Sequence, residues 1–138
     1  MANLTRFSVS IDTSLLDRFA EYAKKHGLGN RSEALRSLIR EALVREEWDS
    51  DEEMVGTITI IYDHHKRELT ERLTGIQHDH HRAVLAATHI HLDHDNCMEM
   101  IAVQGRATQV QAIADSLIGS RGVKHGKLTV TTLGRHLD

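Results

Sequence analysis

The sequence predicts an α+β protein built as two units. Three observations carry that expectation: a two-residue alternation followed by two helical stripes near the N terminus, an acidic octapeptide beyond them, and a second half in which runs succeed one another as β-α-β-β-α-β. The 138 residues suit one ordinary domain or two small ones, and 40% apolar with 27% charged residues is a globular composition. No run approaches the ~18–20 consecutive apolar residues of a spanning helix. Residues 1–15 hold Arg6 and Asp12 without an unbroken apolar signal core, so the expected compartment is the cytoplasm. The single cysteine, Cys97, cannot form an internal disulfide, which leaves packing, association or a metal to supply stability.

In the first unit, Phe7, Val9 and Ile11 alternate with Arg6, Ser8 and Ser10, the period of a half-buried strand. Asp12 or Thr13 can cap a helix carrying Leu15, Leu16, Phe19, Ala20 and Ala23 until Gly27 ends it. Asn30, Arg31 and Ser32 open a second helix, with Ala34, Leu35, Leu38, Ile39, Ala42 and Leu43 as its stripe. One strand and two helices in ~45 residues leave the strand's backbone unpaired and bury little apolar surface. The same strand of a second chain is the economical partner. Such a ribbon fits the major groove of B-form DNA and presents Arg6, Ser8 and Ser10 twice, with arginine able to grip guanine through two hydrogen bonds. The amides opening the second helix, near Asn30, Arg31 and Ser32, suit a phosphate oxygen.

Charge agrees with this division. Residues 1–45 carry eight Lys or Arg against five acids, whereas residues 46–53 carry six acids and no base, with Trp48 their sole apolar member. The octapeptide reads as a solvated boundary or as an acidic extension of the preceding helix. The remainder balances nine bases against nine acids, so the net charge of −3 conceals a basic N-terminal unit that a nucleic acid would meet.

The second unit opens with the β-branched run Thr57–Tyr62, followed by Leu69, Leu73 and Ile76 at helical spacing. Strand-like runs over 83–92 and 97–103 flank a hairpin loop at Asp93–Asn96. Val110, Ile113, Ala114 and Leu117 mark a helix over 109–118, and an alternating strand over 128–133 closes the order. This is the split βαβ, or ferredoxin-like, plan.

Eight of the 11 histidines fall between His64 and His94, in company with Cys97. His89 and His91, two apart on a predicted strand, point to one face, and Cys97 begins the strand across the hairpin. His78 ends the preceding helix and opens the run HDHH, which could supply a fourth ligand from the same chain or a neighbour. Imidazole and thiolate suit nickel, copper, zinc or cobalt and suit magnesium or calcium poorly. His80, His81 and His94 are weaker candidates for ligands and read more readily as solvated surface histidines.

Residues 1–46, with RFSVSI as strand and NRSEALRSLIREAL as second helix, resemble a ribbon-helix-helix DNA-binding domain. Together with IIYDHHKREL, IQHDHH, THIHLDHDNC and RGVKHGKL, they make almost the whole chain resemble the nickel-responsive regulator family, NikR. The resemblance implies a square-planar nickel site of His89, His91 and Cys97 from one subunit with His78 of another, one ion per subunit. It also implies base reading by Arg6, Ser8 and Ser10, and a homotetramer in which ACT-type C-terminal units form a core flanked by two ribbon-helix-helix dimers. The implied output is repression of nickel-uptake genes on double-stranded operator DNA, without enzymatic activity. Tyr62, His64, Gln77 and Glu99 stand where the family places supporting residues. The implied boundaries are a DNA-binding domain over 1–46, a linker over 47–54 and a metal-binding, tetramerising domain over 55–138. The sequence departs from the family at Asp79 within the histidine run. At a weaker cation site found in some relatives it offers Glu33 but Ser37.

Two other readings exist. HIHLDH resembles the HxHxDH motif of metallo-β-lactamase hydrolases, but that fold is longer and needs downstream ligands where only His125 and His136 follow. An ACT-type unit could instead take an amino acid, leaving the histidines structural.

Overall fold

The structure, a computed structural model, describes residues 3–137. The chain divides into two compact units, one of residues 1–45 with 134–138 and one of residues 46–133.

In the first unit, α1 (Thr13–Lys25) is capped by Asp12, whose Oδ1 accepts from the Ser14 amide at 2.8 Å and the Ser14 hydroxyl at 2.7 Å. Those bonds hold the Asp12 carboxyl below its ordinary pKa. The helix ends in a Schellman motif: Leu28 N–H donates to Ala23 O at 2.9 Å and Gly27 N–H to Lys24 O at 3.2 Å. Gly27 adopts φ 63°, the left-handed conformation that side-chain-bearing residues rarely take. Asn30 then caps α2 (Arg31–Asp49), its Oδ1 accepting from the Glu33 amide at 2.9 Å.

The strand expected over 6–11 is the element this chain does not form alone. Residues 3–12 carry no ladder, because the unit has no second strand among its described residues to take their amides and carbonyls. Their apolar face stays in solvent, with Phe7 67% and Val9 62% exposed. Leu15, Leu38, Ile39 and Leu43 of the two helices are exposed as well. A stripe this apolar on so small a unit is the surface of an element awaiting its partner.

The acidic octapeptide is helical as far as Asp49, and β1 begins at Glu53. The continuation is anchored: Trp48 packs on the core of the second unit, and Glu47 Oε2 accepts from the Thr132 hydroxyl at 2.9 Å. Asp51, at φ 56°, takes the Thr108 amide at 2.8 Å and so caps the first turn of α4 from a distant loop.

The second unit consists of β1 (Glu53–Asp63), α3 (Arg67–Asp79), β2 (Val84–His91), β3 (Asn96–Arg106), α4 (Ala107–Ile118) and β4 (Val123–Thr131). The sheet order is β2-β3-β1-β4 and every neighbouring pair is antiparallel, as the split βαβ plan requires. Ile58, Ile60 and Tyr62 of β1 and Cys97, Ile101 and Val103 of β3 project toward Leu69 and Leu73 of α3 and Val110, Ile113 and Leu117 of α4. Together they form the buried core. Truncating Ile101 to alanine at its centre is expected to cost about 2–5 kcal/mol, read as a lowered urea midpoint with an unchanged slope.

The last strand lies earlier than the alternation over 128–133 indicated. Its first half, VKHGK, has no apolar period, because Gly126 passes directly under α4. A Cβ there would come within 2.5 Å of Ile118 Cγ1.

Candidate metal centre and nucleic-acid interface

The register of the sheet assembles the metal-binding candidates. His91 stands opposite Cys97 and His89 opposite Glu99, while Tyr62 of β1 flanks Cys97 on its other side. Alternation therefore directs His89, His91, Cys97, Glu99 and Tyr62 to one face. Cys97 is buried, and its Sγ lies 4.0 Å from His89 Nδ1.

Behind this pair, Glu99 is the buried acid among the described residues. Its Oε1 accepts from the Tyr62 hydroxyl at 2.8 Å and its Oε2 from Gln77 Nε2 at 2.9 Å. His89 Nε2 lies 3.4 Å from Glu99 Oε2. With that nitrogen protonated toward the carboxylate, Nδ1 keeps its lone pair on the side of Cys97. This is the carboxylate–imidazole arrangement that orients metal-binding histidines. Burial, then the Glu99 hydrogen bond and charge, push the Tyr62 hydroxyl far above its ordinary pKa, so it remains a neutral donor. Tyr62→Phe leaves Glu99 short of one partner and is expected to cost about 1–3 kcal/mol in chemical denaturation.

Gln77 ties the last turns of α3 to this network. The adjacent His78 is exposed, its nearest ring neighbour His81 with centroids 6.2 Å apart. His80 closes the helix, its amide donating to Ile76 O and Gln77 O at 3.2 Å. His64 packs edge-on against His91 at a centroid distance of 4.8 Å. Tyr62 and Gln77 thus converge on Glu99, Tyr62 and Glu99 meet His89, and His64 meets His91.

Two three-donor groups lie at the hairpin end of the sheet: Asp63 with His64 and His65, and His65 with His94 and Asp95, the donor atoms of each within 4.8 Å of one another. His94, read as a solvated surface histidine, is exposed, with 88% of its side chain accessible. The pairing of Asp63 with Asn96 brings the DHH turn against the hairpin loop that carries it. Within that loop, Asp93 accepts from the amides of Asp95 and Asn96 and from the Asn96 side chain, bonds that lower its carboxyl pKa. The aspartate of HIHLDH is therefore engaged in shaping a turn.

On the first unit, Arg6, Ser8 and Ser10 are exposed. The Asn30 side-chain oxygen is committed to capping, while Arg31 and Ser32 lie exposed in the first turn of α2, where helix geometry leaves amides without intrahelical acceptors.

These features define a two-unit protein in which a ribbon-helix-helix DNA-binding domain precedes an α+β domain bearing an imidazole–thiolate cluster. The NikR C-terminal nickel binding domain family matches residues 55–131, and the copG family of ribbon-helix-helix proteins matches residues 5–46. Relatives named as nickel-responsive regulators share 52% identity in Solibacter usitatus and 53% in Geobacter sulfurreducens, each over 138 residues, and 50% over 137 residues in Desulfovibrio desulfuricans. In all three, 99% of both chains is covered. The chain belongs to the nickel-responsive regulator family, and it is a transcriptional regulator, not an enzyme. Among solved structures, an uncharacterized protein from Thermotoga maritima aligns over 59% of this chain and 99% of that chain, at TM-score 0.47 and 10% identity.

Proposed function

We propose that this chain is a cytoplasmic, nickel-dependent repressor of nickel-uptake genes, acting as a homotetramer with one ion per subunit. The domains of that reading are 1–46 for DNA binding, 47–54 as the connection and 55–138 for metal binding and assembly. His89, His91 and Cys97 hold the ion together with His78 of a neighbouring subunit. The observation that carries the reading is the buried Cys97 thiol beside His89 Nδ1, backed by a Glu99 carboxylate that orients the imidazole. Two imidazoles, a thiolate and a third imidazole are a donor set for a late transition ion. A bound divalent cation supplies a positive centre joining donors of two chains.

The chain's own residues account for the rest. Exposed His78, one residue beyond Gln77, is free to reach another subunit while Gln77 fixes the helix end that carries it. The open side of the sheet leaves Met100 exposed, and Leu85 on the edge strand is exposed too, which supports burial against further copies. Arg6, Ser8 and Ser10 read bases from a ribbon paired between two chains, and the α2 N terminus, at Asn30, Arg31 and Ser32, meets a phosphate. Metal and operator favour the same assembly, so each tightens the other by the same factor. No helix among the described residues is long and apolar enough to cross a membrane, which agrees with a regulator working on chromosomal DNA.

The test is a gel-shift titration at fixed salt with nickel, cobalt, zinc or no metal. Operator affinity is expected to rise with nickel and fall back on chelation. Equal affinity before and after chelation rejects the proposal.

A further inference from the structure

We propose that Lys124 is a positioning residue of the Cys97 centre: from a bulge in β4 it holds the loop joining His91 to Cys97, and so favours nickel over zinc there. The proposal deepens the reading of His89, His91 and Cys97 as ligands and rests on it.

The bulge follows from the register. β1 and β4 pair in step as far as Ile61 with His125, and the next pair is Tyr62 with Val123, so Lys124 is an extra residue without a partner in β1. Strict alternation through Val130, Leu128 and Gly126, which face the core and α4, would turn position 124 toward the helices, where an unpaired ammonium group is costly to bury. A bulge bends its strand and re-aims the side chain. Lys124 is exposed instead, and its Nζ donates over the end of β1 to Asn96 Oδ1 at the first residue of β3. Its charge also acts on the carboxylates of Asp93 and Asp63.

The loop that Lys124 reaches is built on two side chains. Asp93 Oδ1 accepts from the amides of Asp95 at 2.9 Å and Asn96 at 2.8 Å, and Asn96 Nδ2 donates to the two Asp93 oxygens at 3.1 and 3.0 Å. The Asn96 side-chain oxygen is the acceptor these bonds leave over, and Lys124 takes it. Leu92 N–H donates to Asn96 O at 3.0 Å, which closes the loop between the two strands. Leu92 adjoins His91 and Asn96 adjoins Cys97, so the spacing of imidazole and thiolate follows the shape of this loop. An exposed lysine bond contributes little to global stability. Its effect is local: it removes loop conformations that an incoming ion would otherwise have to order. Zinc, with no geometric preference from its d electrons, tolerates displaced donors better than nickel does.

The experiment measures nickel and zinc affinity of the full-length protein, without DNA, by competition against a chelator, with the thiolate-to-nickel charge-transfer band marking the Cys97 centre. Lys124→Met is expected to keep the wild-type urea midpoint and weaken nickel about tenfold, the lower end for a residue acting behind the ligands, with a smaller loss for zinc. Lys124→Arg, which keeps the charge and a donor, should restore nickel affinity. Asn96→Ala should lose at least as much nickel affinity as Lys124→Met, and adding Lys124→Met to it should change nothing further, because the lysine acts through that side chain. Wild-type nickel affinity in folded Lys124→Met, an equal loss for zinc, or a further loss in the double variant would each overturn the positioning role. A wild type that binds nickel without the thiolate band would overturn the Cys97 centre itself, a result seen before any substitution is made.

Discussion

Cys97→Ala is expected to abolish nickel-stimulated operator binding while the protein still folds and still recognises DNA weakly. Cys97 sits at the junction of three strands, opposite His91 on one side and Tyr62 on the other, where its sulfur is held beside His89 Nδ1. Alanine keeps the strand and removes the anionic donor. Loss of an outer-shell partner alone typically weakens a metal site about 10–100-fold, so loss of the thiolate itself should weaken nickel by more than ~100-fold. Isothermal titration with nickel measures that loss, and a gel shift with and without nickel reads its consequence. A variant still stimulated by nickel to the wild-type extent would remove the ion from the centre assigned to it.

Arg6→Ala should produce the opposite separation, with nickel binding retained and operator binding lost. A bidentate arginine–guanine pair contributes about 1–3 kcal/mol of discrimination, and a two-chain ribbon loses the side chain twice. Against a scrambled duplex the change should be small, since residual phosphate contacts are insensitive to sequence. Operator affinity equal to wild type at matched salt would show that the alternating segment does not enter the groove.

The contrast between these variants rests on how differently the two units reveal themselves. The helices of the first unit were legible because their boundaries are chemical: Asp12 and Asn30 accept first-turn amides, and Gly27 adopts a conformation in which a side chain is costly. Its strand was legible as a pattern, yet residues 3–12 have no ladder in a single chain, since period-two alternation records which face is apolar without supplying a partner. The acidic stretch 46–53 carried charge and little else. Asp51 and Glu47 acquire their roles through bonds to Thr108 and Thr132, 57 and 85 positions away, and Trp48 through burial against the core, which no local composition encodes.

The sequence by itself determined the order of elements, the same-face placement of His89 and His91 and the proximity of Cys97 across a short hairpin, because side-chain periodicity and loop length are local properties. Only the tertiary structure decided that Glu99 lies buried among Tyr62, Gln77 and His89, and that the turn at His64 and His65 closes on the loop at His94. Those convergences depend on the register between strands distant in the chain, and register is set by how the whole apolar face packs beneath the helices.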